Sequence, residues 1–274
     1  MRDIAAIVAR RDGRRSGRWW MFLCPCHGNV DTPSASISPT GYLHCFRGCS
    51  HDEIGAALDA LGLVDDGEPS ELDYEKLAAD EAARIAKAQQ MWADACALPE
   101  EHSTPYVAYY LKSRGITLPV PPDLKRYSDW RGKGFIAKLT NIGGLLTSVH
   151  TKVPGPKGGW NHGPPRHGAV QLFPPRDGEI GIAESVFDAL SATQLFGVPC
   201  WSVCGNRLAA IDLPDGVDRV TLFADNDVVG RKAAQEAEYH YRNVVGVAAR
   251  IVAPPADVKD WNEELMKRVK HNGR

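Results

Sequence analysis

The chain has 274 residues, enough to bury one large core or two modest ones. Its 32 Lys and Arg against 34 Asp and Glu give a formal charge of −2, so overall charge attracts no polyanion and a nucleic-acid role would have to rest on local distribution. No apolar run approaches the ~20 residues that span a bilayer, and no signal-type apolar segment follows the arginine-rich start, so the expectation is a cytoplasmic protein without membrane attachment.

Charge is unevenly spread. Residues 1–20 carry Arg2, Arg10, Arg11, Arg14, Arg15 and Arg18 against Asp3 and Asp12, whereas residues 65–101 are rich in acids. A basic end suits phosphate contact, though it equally suits a solvated turn. Residues 1–64 read as a small module of strands at 19–23, 34–38 and 42–45, closed by a helix over 51–61. In a reducing cytosol its closely spaced cysteines are better read as metal ligands than as disulfides.

The segment FLCPCHGNVDTPSASISPTGYLHCFRGCS sets Cys24, Cys26 and His27 against Cys45 and Cys49. Zinc needs four tetrahedral ligands converging from opposed turns, and two knuckles joined by a hairpin supply them. Cys24, His27, Cys45 and Cys49 form the best set, because a C-x-x-H pair bends round a metal more readily than the adjacent Cys26 and His27; His44 is a weaker substitute. With all four positions filled by protein, the metal would be structural and would supply much of the folding energy of so small a segment. Cys200 and Cys204 lack a second ligand pair nearby and read as buried packing residues.

The run C-P-x-H, then T-P-S, then H-C-F with a closing cysteine and a short helix resembles the CHC2-type zinc ribbon of bacterial, phage and plasmid primases. Its closing C-x-x-x-C, in place of the C-x-x-C of cellular replicative primases, is similar to mobile-element primases. The resemblance implies a ribbon that engages single-stranded template. Trp19, Trp20, Tyr42 and Phe46 are candidates for base stacking, and equally for packing in a small core.

An alanine-rich helix is predicted over 70–98, with Pro99 beyond it, and a second over 106–114, capped by Gly115 and halted by Pro119, Pro121 and Pro122. Strands are predicted at 134–139, 145–152 and 168–172, with a glycine- and proline-rich excursion between the last two. After Gly178 the pattern alternates: strand 180–183, helix 186–196, strand 198–203, strand 220–224, helix 231–241, strand 248–252. Such alternation predicts a mainly parallel sheet covered by helices.

In GEIGIAESVFDALSA an apolar strand delivers Glu184 at its C-terminal end, the edge where open α/β sheets bind ligands. In RVTLFADNDVVGRKAA another apolar strand ends in Asp225 and Asp227, whose i and i+2 spacing points both carboxylates one way in extended backbone. Gly230 is read as allowing a tight turn into the next helix. Three acids gathered together repel unless cations lie between them, and hard oxygens select magnesium or manganese; alone, D-x-D is as easily a pair of helix caps.

The two motifs together resemble the Toprim domain shared by primases, type IA and II topoisomerases and certain nucleases. The resemblance implies Glu184, Asp225 and Asp227 as the catalytic, magnesium-binding acids. Asp188 matches an E-x-x-x-D-A-L pattern, and Asp260 in VKDWNEEL would help hold a second metal, with Glu263 a weaker candidate. Ser185 stands where many relatives carry glycine.

The expected architecture is α/β: a CHC2-type zinc ribbon (1–64), a helical linker (65–101), a small mixed α+β polymerase-like subdomain (102–178) and a C-terminal Toprim parallel-sheet domain (179–274). The expected activity is that of a DNA primase using nucleoside triphosphates on a single-stranded DNA template, with structural zinc and catalytic magnesium or manganese. Lys125, Arg126, Arg131, Lys133, Lys138 and Lys152 are candidates for the triphosphate, Lys138 among the expected cofactor-binding residues; His150, His162 and His167 read as phosphate contacts or solvated loop residues. No G-x-x-x-x-G-K-[ST] occurs, so a separate helicase or replication protein is expected as partner. The alternatives are a Toprim nuclease and a catalytically silent DNA-binding replication factor.

Overall fold

The computed structural model describes residues 7, 10–11, 13–16, 19–27, 33–38, 41–45, 48–63, 71–155, 159–165, 168–209 and 211–272; Arg2, Arg14, Arg15, Arg18, Phe46 and His167 carry expectations that fall outside the described side chains. The chain divides into two compact units, Met1–Asp80 and Glu81–Arg274. Among the described residues no helix is long and apolar enough to cross a membrane.

In the first unit, strands β1 (Arg14–Ser16), β2 (Trp19–Phe22), β3 (Ala35–Ile37) and β4 (Leu43–Cys45) form an antiparallel meander. Helix α1 (His51–Ala60) follows, its start fixed by a capping box in which Glu53 N donates to Ser50 Oγ (3.2 Å) and Ser50 N to Glu53 Oε2 (2.7 Å). Phe22, Ile37, Leu43, Ile54 and Leu58 make its small core.

Helix α2 (Glu71–Cys96) begins in the first unit and ends in the second. Helix α3 (Glu100–Lys112) starts earlier than predicted, running through Pro105 with Glu100 and Glu101 in its first turn. One forfeited backbone bond is tolerated there because Val107 and Leu111 are buried.

A second antiparallel meander follows: β5 (Leu124–Asp129), β6 (Gly132–Thr140), β7 (Leu146–Lys152) and β8 (Gly159–His162). Neither β5 nor β8 was expected. β5 offers only one apolar residue to each face, Leu124 and Tyr127, and β8 emerges from the glycine-rich excursion as an edge strand, where ladder pairing rather than side-chain pattern decides the conformation. The strand expected at 168–172 is instead a linker making single bridges, Thr140 to Ala169 and Val170 to Ser202. Alternation splits this sheet: Phe135, Ala137 and Leu139 join the core shared with α3, while Ile136 and Val149 pack on Ala88 and Ala95 of α2.

The third sheet is parallel, in the order β10-β9-β11-β12, built from β9 (Glu179–Ala183), β10 (Cys200–Ser202), β11 (Arg219–Phe223) and β12 (Ala248–Val252). Helix α4 (Val186–Phe196) covers one face together with α6 (Trp261–Asn272), a helix the sequence reading did not propose. Helix α5 (Val228–His240) covers the other and runs into a π-helical turn, Tyr241–Val245. That turn brings Tyr241 fully inside, where its hydroxyl donates to the carbonyls of Leu208 (2.9 Å) and Ile211 (3.2 Å).

Tyr241→Phe therefore leaves two buried carbonyls short of a donor. It should cost about 1–2 kcal/mol in urea unfolding while leaving the far-UV spectrum unchanged.

Candidate metal and phosphate site

Register places the acids. Ala183 pairs with Phe223, so Glu184 and Asp225 leave adjacent strands at the same sheet edge. Glu184 is held through its backbone: its carbonyl accepts from Gly205 N (2.9 Å) and Ser202 Oγ (3.3 Å). Asp227 caps α5, accepting from Gly230 N at 2.8 Å. Between the two aspartates, Asn226 ties the loop to the segment before α6: its N–H donates to Lys259 O (2.7 Å) and its amide to Pro255 O and Val258 O (3.1 and 3.0 Å).

Gly230 has a different role from the expected one. It sits buried in α5 without a positive φ, and a Cβ there would meet Asp225 Cβ at 2.8 Å and Glu184 Oε1 at 2.9 Å. Close approach of the two acids, not a turn, requires glycine.

The electrostatics are strained. Burial, then Asp188 and Glu184 among its neighbours, push the Asp225 carboxyl up to about 8. Burial, then Asp227 and Asp188, push Glu184 up to about 7 against the pull of Lys259. Glu184 Oε1 and Asp225 Oδ1 are buried and accept no hydrogen bond from the protein. Orphaned hard oxygens of this kind fit magnesium or manganese, which satisfies them where no donor does. The acids surround the space without closing on one point; among the described residues only the Cys/His group below brings three or more ligand atoms within 4.8 Å of one another. An open set suits a cation shared with ligand phosphates.

Asp188 and Asp260 stand differently. Asp188 is only 4% exposed and its oxygens are used: it is hydrogen-bonded to Ser185 Oγ and accepts from Asn262 N at 3.0 Å. Burial, then Asp260, raise it to about 6. It thus docks the start of α6 against α4. Ser185 is the N-cap of α4 at φ −116°, so nothing there demands glycine. Asp260 accepts from Glu263 N (2.8 Å) and Glu263 Oε2 from Lys259 N (2.7 Å), a reciprocal cap for α6.

Glu184, Asp188, Asp225 and Asp260 line a cleft of about 480 Å³ with Arg114, His150 and Lys152 among its other residues, while Asp227, the cap of α5, is not among the lining residues. Burial and the adjacent Arg114 lower Lys152. Burial takes His150 down to about 4, with Asn161 Oδ1 2.7 Å from its Nδ1. Two cations thus share one cleft with the acids. Of the lysines and arginines proposed from sequence, only Lys152 lines it. Lys138 pairs with Asp123 (3.0 Å) and lies over Trp92, Lys125 reaches Glu100, Arg126 stacks on Tyr106, Arg131 is bound by Asp129, and Lys133 is exposed on β6. Arg114 was missed: at the end of α3 it reads as an ordinary C-terminal charge, and only the packing of α3, with the guanidinium 5.0 Å from the Phe187 ring, turns it into the cleft.

In the first unit, the ligand atoms of Cys24, His27, Cys45 and Cys49 all lie within 4.8 Å of one another, and Cys26 stays exposed outside the group. Cys24 Sγ is 3.9 Å from Cys49 Sγ, and His27 Nε2 is 3.3 Å from Cys45 Sγ. Burial, then contact with Cys45, raises the Cys24 thiol, so gathering thiolates here requires a cation. The three-sulfur, one-nitrogen donor set fits zinc. Cys200 and Cys204 belong to the second unit and are buried there, their thiols pushed by burial up to about 12.

Residues 179–271 match the Toprim domain model. No curated protein matches the chain. Among solved structures, the chain is similar to the zinc-binding and RNA polymerase domains of the Aquifex aeolicus primase (17% identity, 99% of this chain and 81% of that one, TM-score 0.42). It is also similar to the primase fragment of the bacteriophage T7 primase-helicase (15%, 90% and 95%, TM-score 0.45) and to a DNA primase domain from Pseudomonas aeruginosa (17%, 69% and 74%, TM-score 0.41).

Two outcomes test this geometry. A raised carboxyl binds its proton more tightly in the folded chain, so its favourable contribution is complete below the ordinary carboxylate range and is lost as pH climbs to about 8. In chelator, Asp225→Asn should therefore melt a few degrees above the parent at pH 8 and level with it near pH 4; magnesium should stabilise the parent and leave the variant unmoved. Separately, Cys45→Ser should lose bound zinc by elemental analysis, while Cys26→Ser keeps it.

Proposed function

We propose that this chain is a DNA primase, making short RNA primers on single-stranded DNA by nucleotidyl transfer. The observation that carries the reading is the pairing, in one cleft, of two orphaned carboxylates, Glu184 and Asp225, with the cations Arg114 and Lys152. The Toprim match over residues 179–271 and the Cys/His cluster ahead of it support the same reading.

In the proposed reaction the 3′-hydroxyl of the growing strand attacks the α-phosphorus of the incoming nucleotide. A phosphorus–oxygen bond forms to that hydroxyl, the bond to pyrophosphate breaks, and the hydroxyl proton passes to solvent. Magnesium or manganese, held by Glu184, Asp225 and Asp227, would supply charge neutralisation at the triphosphate and activation of the hydroxyl. Arg114 and Lys152 bind and orient the phosphates from across the cleft. His150, uncharged at neutral pH, offers a hydrogen bond fixed by Asn161. Asp188 and Asp260 position the loop before α6 rather than touch the nucleotide. Zinc at Cys24, His27, Cys45 and Cys49 would hold the first unit in its folded form for template engagement. Unwinding of duplex falls to a separate helicase.

With magnesium or manganese, ribonucleotides and a mixed-sequence single strand, the purified chain should release short primers. Asp225→Ala or Asp227→Ala should lower synthesis on the order of 100-fold or more while DNA binding persists. Lys152→Met should raise the nucleotide KM on the order of 10-fold. Cleavage of the template without nucleotide incorporation would replace the polymerase with a nuclease.

A further inference from the structure

Strands β5 and β6 meet at Trp130 and Arg131, the two residues between the paired Asp129 and Gly132. Hairpin corners favour glycine and small polar residues, which tolerate the turn and lose nothing by exposure. Here one corner is an indole 92% exposed, buried in no core. The other is a guanidinium laid on a second indole: Arg131 Cζ lies 3.7 Å from the Trp160 ring centroid and 5.8 Å from that of Trp130. Asp129 fixes it, accepting from Arg131 N at 2.8 Å and from Nε at 2.9 Å. Trp160 itself remains 39% exposed.

Three flat π surfaces are therefore clustered and partly open to solvent, with the charge of Arg131 balanced by Asp129. Phosphate contacts need uncompensated charge; stacking of bases needs flat faces, which every base can match. The position is also informative. Trp160 follows Gly159, which lines the cleft of Glu184 and Asp225, in the edge strand β8. Neighbouring residues of a strand face opposite ways, so the platform lies just across the sheet edge from the proposed site of synthesis.

We propose that Trp130, Arg131 and Trp160 form a stacking platform for unpaired bases of single-stranded nucleic acid, receiving the strand where it passes over the edge made by β8. That the strand is the template rests on the primase reading; the stacking does not.

The test is titration of fluorescently labelled oligo-dT with the full chain, read by anisotropy across a salt series, for the parent, Trp130→Ala and Trp130→Phe. Trp130→Ala should weaken binding on the order of 10-fold, Trp130→Phe should restore most of it, and the slope against salt should stay unchanged because no phosphate contact is lost. Melting temperature should not move, since the side chain is almost wholly exposed. Parent-like affinity of Trp130→Ala, an equal loss on duplex DNA, or a shallower salt slope would each overturn the platform. Primer synthesis by the parent alongside parent-like binding by Trp130→Ala would sink the platform and leave the primase reading intact. Aromatic-dependent binding by a parent that makes no primers would do the reverse.

Discussion

The C-terminal unit is organised around one unfavourable requirement: Glu184 and Asp225 each present a buried carboxylate oxygen to a space where the protein offers no donor. Burial and mutual repulsion both oppose that arrangement, so it persists only because the surrounding fold over-determines it. Parallel register brings the two strand ends level. Gly205 and Ser202 hold the Glu184 backbone, and the missing Cβ of Gly230 admits both acids to one place. Helix α6, docked by Asp188 and Asn262, closes the far side. Read this way, most of the polar contacts near the cleft serve to keep two charges where they would not otherwise stay.

The two candidate metal centres are built on opposite principles. Cys24, His27, Cys45 and Cys49 converge so that a cation would be enclosed by protein and its binding energy would become folding energy for a unit with a small core. The acids leave room instead. Their incomplete convergence means that a cation there needs ligands the protein does not provide, and Arg114 and Lys152 across the cleft favour anionic ones.

How much of this was readable in the sequence depended on the range of the interaction involved. The cluster of cysteines and histidine follows from local spacing, and the acids Glu184, Asp225 and Asp227 from apolar strands that end in charge; both are short-range patterns. Strand β8, in glycine-rich sequence, exists because β7 pairs with it; α6 by contrast carries Trp261, Leu265 and Val269 at helical spacing, a short-range pattern that was legible and overlooked. Lys138 and Lys152 were both candidates, and alternation separates them: Lys152, which lines the cleft, pairs with Phe135, and Lys138 lies three residues on, facing α2. Arg114 and Gly230 draw their roles from tertiary packing, which no local pattern encodes.

Asn226 carries a mechanical implication. By gripping Pro255, Val258 and Lys259 it joins the D-x-D loop to the stretch leading to Asp260. The loop carrying Asp225 and Asp227 and the stretch leading to Asp260 are thereby tied into one acidic wall. Facing that wall is the antiparallel sheet bearing His150 and Lys152, tied to the acidic side by the bond from the Asn161 amide to Cys204 O, so a wider cleft would require that bond to yield.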